Sequence, residues 1–360
     1  MRIVCVVGTR PNIVKMAPVI GVLRSHFPEW RIATVHTGQH YDRLMSDVFL
    51  EELGMPEPDH VLGAGSGTHA EQIARVLERF EPVLAEEKPD LVLVPGDVNS
   101  TLGAALCAEK MGAAVGHVES GLRSFDHSMP EETNRIATDH LSALCFLHST
   151  EAIENLRAEG VENDRMKFVG NTMIDSLVAL EGLIRGRGAA ESLGLESRSY
   201  VLVTLHRPAL VDGPLLADAL EALSAVAREL PVVFPVHPRT RKNLSGRDYP
   251  GVMLMDPVGY LDFLSLESQA AAVLTDSGGI QEETTYLGIP CFTLRENTER
   301  PVTIRSGTNT LLGLDPGRIT GIPDLLRERA ASGDGAKNPQ TPELWDGRAA
   351  ERVAEVLADW

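Results

Sequence analysis

Short apolar runs rich in β-branched residues alternate along the chain with longer segments of helical periodicity. In the first half the runs that predict strands are Ile3–Val7, Ile32–Thr37, Leu91–Val94, Ala114–Val118, Leu144–Leu147 and Met166–Val169. Successive runs are separated by helix-length segments, which is typical of right-handed βαβ crossovers. The pattern therefore predicts a parallel sheet of the α/β class.

The same alternation begins again in the second half. After residues 171–199, which hold one helical stretch and then a glycine-rich segment, the predicted strands are Val201–Leu205, Val232–Val236, Val252–Met255, Ala271–Thr275 and Cys291–Leu294. This restart predicts a domain boundary near Gly170. We expect two doubly wound domains: residues 1–170, joined by a last helix over 348–360, and residues 171–347, with a surface loop at Gly333–Pro342. Ligands bind at the carboxyl ends of such strands, so the predicted site is a cleft between the domains.

Composition and charge narrow the class of protein. The 360 residues include 33 Lys and Arg against 51 Asp and Glu, a formal net charge of −18. Nucleic acids and anionic membranes repel so acidic a protein, so we expect neither as a partner. The four cysteines are far apart and lie in apolar runs, which indicates buried thiols in a reducing compartment. The run Ile3–Val7 is too short for a signal peptide, and no stretch approaches the roughly 18 apolar residues of a membrane span. We therefore expect a cytoplasmic protein.

One motif in the second half combines a strand, a glycine turn and a helix start. Ser277, Gly278 and Gly279 follow an apolar run, and Glu283 lies six residues beyond Ser277. Unpaired N–H groups and the positive end of a helix dipole bind phosphate when no side chain is in the way. Glu283 is then placed to accept a ribose hydroxyl. The alternative is a tight turn with a capping serine and no ligand.

Two cationic side chains follow the first predicted strand, and no dinucleotide-binding motif follows it. Arg10 follows Gly8 and Thr9, and Lys15 lies about one helical turn further. A guanidinium and an ammonium could hold phosphate oxygens that the overall charge repels. The alternative is a helix start with a solvated basic face. No G-x-G-x-x-G follows the strand, so no nicotinamide cofactor is expected.

Carboxylates stand near the ends of successive strands in the first half. Asp97, Glu119 and Glu131 are the candidates, and such groups can act as general acids and bases when their environments differ. A single carboxylate of this kind is more often a helix cap or a salt-bridge partner, but three at consecutive strand ends favour a functional role. A metal site is the competing use, but the chain has no D-x-D, H-x-H or H-E-x-x-H, so we predict none.

Two cationic side chains close the first strand of the second half. His206 and Arg207 follow Val201–Leu205, and Arg300 follows the strand Cys291–Leu294. A single histidine is more often a structural group. At the carboxyl end of a parallel strand, however, His206 and Arg207 are candidates for a phosphate or sugar contact.

Taken together, these residues resemble the non-hydrolysing UDP-N-acetylglucosamine 2-epimerase family. The motifs occur in order over nearly the whole chain: Gly8–Pro11 with Lys15, Thr37–His40, Gly96–Thr101, His117–Arg123, Pro130–Arg135, Gly170–Asp175, Thr204–Arg207, His237–Pro238, Asp276–Glu283 and Thr298–Pro301. Each motif alone is weak, but ten in register are specific.

The resemblance implies two Rossmann-like domains of the glycosyltransferase-B type, no cofactor, and a UDP-sugar as substrate. Members interconvert UDP-GlcNAc and UDP-ManNAc by anti elimination of UDP to 2-acetamidoglucal and its re-addition. The implied catalytic residues are Asp97, Glu119, Glu131 and His206. The implied nucleotide contacts are Arg10, Lys15, Arg207, Phe263, Ser277, Gly278, Gly279, Glu283 and Arg300. We also expect a homodimer.

Some positions depart from the family's common pattern. Val98 and Ser120 replace a usual Thr and Ala, and residues 209–210 stand where an Asn is common. The segment Ser124–Asp126 resembles archaeal members and enzymes of diacetamido-sugar uronates, which leaves the sugar substituents at C3 and C6 open. The alternatives for function are a hydrolysing epimerase that releases ManNAc, a glycosyltransferase of the same fold, and a silent UDP-sugar binder. Retention of all three carboxylates argues against the last.

The segment after the T-G-Q-H motif bears on regulation. Many bacterial members bind a second UDP-GlcNAc there, but here Gln39 and His40 are followed by Tyr41 and Asp42. A carboxylate facing a diphosphate repels it. We therefore expect near-hyperbolic kinetics and a reverse reaction that needs no added UDP-GlcNAc.

Overall fold

The computed structural model describes residues 1–38, 50, 52–244, 248–332 and 341–360. The chain divides into two compact units, Met1–Ala179 with Glu343–Trp360, and Leu180–Pro342. Gln39, His40, Tyr41 and Asp42, on which the expectation about regulation depends, lie outside the described residues, as does most of the predicted loop 333–342.

A parallel sheet forms the centre of the first unit. Its strands are β1 Arg2–Val7, β2 Arg31–His36, β3 His60–Val61, β4 Leu91–Pro95, β5 Ala114–Ser120, β6 Leu144–Leu147 and β7 Met166–Phe168. Their order in the sheet is β3-β2-β1-β4-β5-β6-β7, and every described pairing is parallel. The chain runs outward from β1 in one direction and from β4 in the other. The loops after β1 and β4 therefore flank the switch point where doubly wound sheets bind ligands.

The helices of this unit are α1 Arg10–His26, α2 His69–Glu87, α3 Asn99–Lys110, α4 Pro130–Leu141, α5 Thr150–Ala158 and α6 Thr172–Arg187, with a 3₁₀ turn at Asn163–Arg165. They begin where the sequence supplies start signals. A capping box starts α2: the Thr68 hydroxyl accepts from the N–H of Glu71, and the Glu71 carboxylate accepts from the N–H of Thr68. Apolar faces of α2 and α3 cover one side of β1, β2, β4 and β5.

The second unit repeats the architecture with a shorter sheet. Its strands are β8 Val201–Thr204, β9 Val232–Pro235, β10 Val252–Met255, β11 Ala272–Thr275, β12 Cys291–Thr293 and β13 Asn309–Leu311. The described order is β10-β9-β8-β11-β12-β13, again parallel, with the switch point between β8 and β11. The helices are α7 Ala189–Ser192, α8 Pro208–Val211, α9 Leu215–Val226, α10 Pro238–Lys242, α11 Tyr260–Gln269, α12 Gly278–Leu287, α13 Val302–Arg305 and α14 Ile322–Ala331, with a 3₁₀ helix at Pro316–Gly321.

All eleven strands predicted from the sequence are present, within one or two residues at each end. Two strands were missed, β3 and β13, which lie at opposite edges of their sheets and are two and three residues long. Runs this short carry no periodicity, and β3 is only partly buried. The predicted class, two doubly wound α/β domains, is confirmed.

The division between the units falls within α6 rather than at Gly170. The first half of α6 packs on the first unit: the Ser176 hydroxyl donates to the Val14 carbonyl at 2.6 Å. The Asp175 carboxylate accepts from the N–H groups of Ala349 and Ala350 at 3.1 and 2.6 Å. It thereby caps the last helix, α15 Ala349–Asp359, which belongs to the first unit. The point at which the strand–helix alternation begins again does not reveal these contacts, because helix α6 continues across the division between the units.

Two further observations bear on the class of protein. All four cysteines are free and buried, as expected. Within the described ranges, no helix has the length and the apolar character needed to cross a bilayer.

Candidate active site

The loop after β1 places a glycine, whose backbone carries no side chain, at the switch point of the first unit. A Cβ on Gly8 would lie 2.5 Å from Thr37 Oγ1 and 2.7 Å from Ser100 Oγ, so the close approach requires glycine. Arg10 then begins α1 with an exposed side chain. The turn therefore leaves backbone and a guanidinium accessible at the carboxyl edge of the sheet.

Lys15 and Glu119 form a buried ion pair beside this turn. The Lys15 ammonium donates to Glu119 Oε2, and the two residues are 6% and 7% exposed. Gly96, with φ of +63°, passes close by: a Cβ there would lie 3.1 Å from Lys15 Nζ and 3.4 Å from Glu119 Oε2. A buried charge is costly unless it is paired, so this contact accounts for a lysine among the mainly apolar buried residues of α1.

The backbone at Glu119 is strained. Glu119 has φ of +69°, in the left-handed region that non-glycine residues avoid, and the register of β5 against β6 shifts between Val118 and Ser120. Such a residue costs about 1–3 kcal/mol, and strained residues of this kind cluster at functional sites. The bulge turns the Glu119 side chain out of the regular alternation of the strand and towards Lys15.

Asp97 is held by a residue that the sequence analysis did not select. The buried Arg135 of α4 donates to Asp97 Oδ2 and, at 3.1 Å, to Glu132 Oε2. Glu132 is 1% exposed and also accepts from the N–H of Ser124 and of Phe125 at 2.9 and 2.8 Å. Glu132 is therefore structural. The signal that could have found Arg135 is its place in the P-E-E-T-N-R segment, one helical turn after Glu131.

Glu131 differs from its neighbour. It lies in the first turn of α4, is partly exposed, and makes no hydrogen bond or ion pair within the described part of the chain. Its carboxylate is therefore accessible to a ligand at the carboxyl edge of the sheet.

A buried network supports β5 behind these carboxylates. His117 bonds through Nδ1 to Asp139 Oδ1 at 2.6 Å and through Nε2 to the Gly96 carbonyl at 2.7 Å. Burial alone would raise the pKa of Asp139, but the charges of His117 and Arg123 outweigh it and hold the pKa at about 2. His117 therefore fixes the Gly96 turn and does not face the site.

In the second unit Asp276 organises the loop after β8. Its Oδ2 accepts from the N–H groups of His206 and Arg207 at 2.9 and 2.7 Å, and its Oδ1 lies 3.0 Å from His206 Nδ1. Burial opposes ionisation, but these hydrogen bonds lower the pKa of Asp276 below its ordinary value. Asp276 thus orients an imidazole whose side chain is about half exposed.

The Ser277–Gly278–Gly279 turn opens α12 with donors unclaimed by a side-chain cap. Ser277 is the extended N-cap residue and its hydroxyl makes no cap bond. A Cβ on Gly278 would lie 2.8 Å from Cζ of Arg300, so only glycine lets this guanidinium lie over the helix start. Glu282 and Glu299 hold Arg300 at 3.1 and 3.4 Å. A positive helix end and a fixed guanidinium together suit a phosphate.

Glu283 lies on the same helix in a buried acidic cluster. Tyr260 donates to Glu283 Oε1 at 3.1 Å. Burial, reinforced by Glu282 and opposed by the Tyr260 bond, raises the pKa of Glu283 to about 7. Phe263, on the helix of Tyr260, packs against the apolar cluster beneath. Glu267 is fully buried near Glu283 and was not predicted from the sequence, because a single glutamate in a helical pattern gives no signal of burial.

The structure therefore assembles two groups of predicted residues. In the first unit Lys15 and Glu119 are in contact, and the Asp97 loop starts at Gly96, which adjoins them. The groups of the second unit are assembled around the ends of β8 and β11. They are His206, Arg207, Ser277, Gly278, Gly279, Glu283 and Arg300.

A family model and individual relatives both match this chain over nearly its whole length. The model of the UDP-N-acetylglucosamine 2-epimerase family matches residues 25–358. The UDP-N-acetylglucosamine 2-epimerase of Methanocaldococcus jannaschii is 39% identical over 371 residues, and the alignment covers 99% of each chain. UDP-2,3-diacetamido-2,3-dideoxy-D-glucuronate 2-epimerase of Pseudomonas aeruginosa is 40% identical over 365 residues, with the same coverage.

A solved structure agrees with the fold. The crystal structure of M. jannaschii UDP-GlcNAc 2-epimerase in complex with UDP-GlcNAc and UDP matches with a TM-score of 0.89 at 37% identity, covering all of both chains. The two parallel-sheet α/β domains of this chain fit a glycosyltransferase-B-like fold, as predicted. On the strength of the family model and of relatives aligned over nearly their full length, this chain belongs to the UDP-N-acetylglucosamine 2-epimerase family.

Proposed function

We propose that this protein is a non-hydrolysing UDP-N-acetylglucosamine 2-epimerase that interconverts UDP-GlcNAc and UDP-ManNAc. The observation that supports it most is the presence, in a member of this family, of three carboxylates at Asp97, Glu119 and Glu131 near the carboxyl ends of the first sheet. The second unit supplies the cationic helix start that a pyrophosphate needs.

The chemistry begins with departure of UDP. The C2 proton is a very weak acid until the C1–O bond begins to break, so the leaving pyrophosphate must be stabilised first. Arg10, His206, Arg300 and the first turn of α12 provide positive charge and N–H donors for that purpose. Phe263 and Glu283 are proposed to hold the uridine and ribose, and Arg207 a phosphate oxygen.

A carboxylate then removes the C2 proton. The C–H electron pair forms the C1–C2 double bond of 2-acetamidoglucal while the C1–O pair leaves with UDP. Return of a proton to the opposite face of C2 and re-addition of UDP at C1 give the epimer. Inversion requires proton donors and acceptors on both faces of the sugar, which favours a cluster of carboxylates over a single one.

A proton NMR time course with UDP-GlcNAc in D₂O tests the proposal. We expect an equilibrium mixture containing UDP-ManNAc with deuterium at C2. Release of free ManNAc would identify the hydrolysing reaction instead, and retention of the original C2 hydrogen would exclude elimination.

Single substitutions test the roles. Asp97→Asn, Glu119→Gln and Glu131→Gln are each expected to lower turnover at least ~10²-fold with smaller effects on UDP affinity. Arg10→Ala and Glu283→Ala are expected to weaken UDP binding instead. Calorimetry showing equal loss of UDP binding in the carboxylate variants would reassign them as structural.

A second substrate is favoured by one comparison. The P. aeruginosa relative, which acts on UDP-2,3-diacetamido-2,3-dideoxy-D-glucuronate by name, is as similar to this chain as the M. jannaschii enzyme is. The C3 and C6 substituents are therefore to be tested directly, by comparing kcat/KM for the two UDP-sugars. A higher value for the diacetamido uronate would revise the substrate and leave the reaction type unchanged.

Assembly and location complete the proposal. Four free, buried thiols suit a reducing compartment, and we propose the cytoplasm. The proposed assembly is a homodimer, which sedimentation equilibrium tests.

A further inference from the structure

A small cavity lies at the carboxyl ends of β5, β6 and β7 in the first unit. Its polar lining side chains are Lys15, Glu119, His148, Asn171 and Thr172, and its apolar walls come from Val118, Phe146 and Val169. It has room for about one water molecule. It therefore adjoins the proposed catalytic carboxylate on a side that a sugar is too large to enter.

Asn171 also lines this cavity, and its side-chain amide has a donor that no described residue accepts. The residue is 5% exposed, and within the described residues its Nδ2 has no hydrogen-bond partner. Its Oδ1 accepts from the N–H of Met173 at 3.0 Å at the start of α6. This bond fixes which end of the amide faces the cavity. An unsatisfied buried amide costs about 1–3 kcal/mol, so such a group in a polar cavity indicates a bound partner.

The backbone on the N-terminal side of Asn171 is held in place by the C-terminal segment. A Cβ on Gly170, with φ of +92°, would collide with the Leu344 carbonyl oxygen, so this backbone lies directly on the C-terminal segment. Trp345 Nε1 donates to the His148 carbonyl at 2.8 Å, and Arg352 donates to the Val169 carbonyl at 3.1 Å. The amide is thus held in place and not free to turn towards solvent.

We propose that Asn171 is a positioning residue that orients the Glu119 carboxylate through one bridging water. The water accepts from Asn171 Nδ2 and donates to Glu119, which also accepts from the Lys15 ammonium. His148, a further titratable group, also lines the cavity and has a ring nitrogen within 4.8 Å of a Glu119 carboxylate oxygen. Donors directed at a carboxylate favour its charged form, so this arrangement keeps Glu119 ready to accept a proton. The proposal rests on the proposed catalytic role of Glu119.

Two variants of Asn171, compared with a control that loses only a cap, separate this role from a structural one. Aspartate keeps the oxygen that caps Met173 but places an acceptor where Nδ2 was. Asn171→Ala removes both groups. Asp315→Ala is the matched control, because Asp315 makes the same bond, to the N–H of Gly317 at 3.0 Å, in the second unit.

We expect Asn171→Ala, which removes the donor without adding a charge, to lower kcat at pH 7 at least ~10-fold and to move the acidic limb of the kcat profile up by about one pH unit. Asn171→Asp adds a buried carboxylate near Glu119, so we expect it to lower Tm and to move the limb at least as far. KM is expected to stay within about threefold, since a positioning role affects the chemical step. Asp315→Ala is expected to lower Tm without moving the limb. If both Asn171 variants keep the wild-type pH profile and lose activity only in proportion to Tm, the role is structural and the proposal is wrong.

A crystal structure of the protein without substrate gives a readout independent of activity. A water bonded to both Asn171 Nδ2 and Glu119, displaced in Asn171→Asp, is expected. A dry cavity, or Nδ2 paired directly with protein, would overturn the proposal. Absence of wild-type turnover with both UDP-sugars would refute the proposed function, and the crystal structure would then still decide the role of Asn171.

Discussion

Replacing Glu267 with methionine is expected to stabilise the second unit. Glu267 lies on α11 with no exposed surface, and neither carboxylate oxygen has a hydrogen-bond partner in the described part of the chain. A polar group in this state costs about 1–3 kcal/mol in protein mutational series. Methionine has a similar volume and no group that must be hydrogen-bonded, so we expect a gain of that size.

The gain is expected to depend on pH because Glu267 and Glu283 are buried carboxyls whose pKa values are both raised. Tyr260 and Glu267 are seven residues apart on one face of α11, and Tyr260 reaches Glu283 on α12. Burial and the charge of Glu283 raise the pKa of Glu267 well above its ordinary value, while burial and Glu282 raise that of Glu283 to about 7. The buried Cys291 thiol also adjoins Glu267.

The sign of the pH dependence of stability follows from the number of protons that the folded and unfolded states bind. Both carboxyls have higher pKa values folded than unfolded, so the folded protein binds more protons. Their stabilising contribution is complete below about pH 4.5 and is lost as pH rises through the folded values. For Glu283 alone, moving from 4.5 to about 7 corresponds to a loss of about 3 kcal/mol across that window. Replacing Glu267 removes one of these two titrating groups, so the stability of the variant varies less with pH.

Calorimetric unfolding at pH 5.5, 7 and 8.5 measures both effects. The wild-type Tm is expected to fall with pH, and Glu267→Met to exceed it most at pH 8.5, with about 2–4 °C for each kcal/mol. Glu328→Met, at an exposed position of α14, is the matched control and is expected to change stability by less than about 0.5 kcal/mol. Destabilisation by Glu267→Met at every pH would show that Glu267 makes an interaction the fold needs, and the reasoning would fail.

Three further outcomes are expected. Gly278→Ala places a Cβ against the Arg300 guanidinium and is expected to weaken UDP binding at least ~10-fold by calorimetry. Gly182→Ala, which meets nothing within 4 Å, should leave UDP binding unchanged. Arg135→Lys keeps the charge but lacks the planar fork whose two nitrogens hold Asp97 and Glu132 separately, so turnover in the NMR assay is expected to fall about tenfold. Burial raises the pKa of all four cysteine thiols to about 11–12, so none should react with a thiol reagent at pH 8 until the protein unfolds.

The order of strands and helices and the chemical type of the site are readable from the sequence. Both follow from local signals: apolar runs of strand length, helix-length spacing, and polar residues directly after strands. Parallel sheets place successive carboxyl ends on one edge, so a residue's position after a strand already indicates where it lies. Asp97 and Ser277 were selected in this way.

Pairings between distant residues were decided only by the tertiary structure. Glu119 meets Lys15 across 104 positions, and its left-handed backbone arises from a bulge that no local pattern shows. Arg135 holds Asp97, and Gly278 is needed because of a side chain 22 residues further on. The division of the units within α6 likewise depends on contacts with the C-terminal segment. The periodicity of a sequence indicates which face of a helix or strand is buried, but only the packing of the folded chain decides which charged group that face contacts. The burial of Glu267, and the Asn171 donor without a described partner, could therefore be found only in the folded chain.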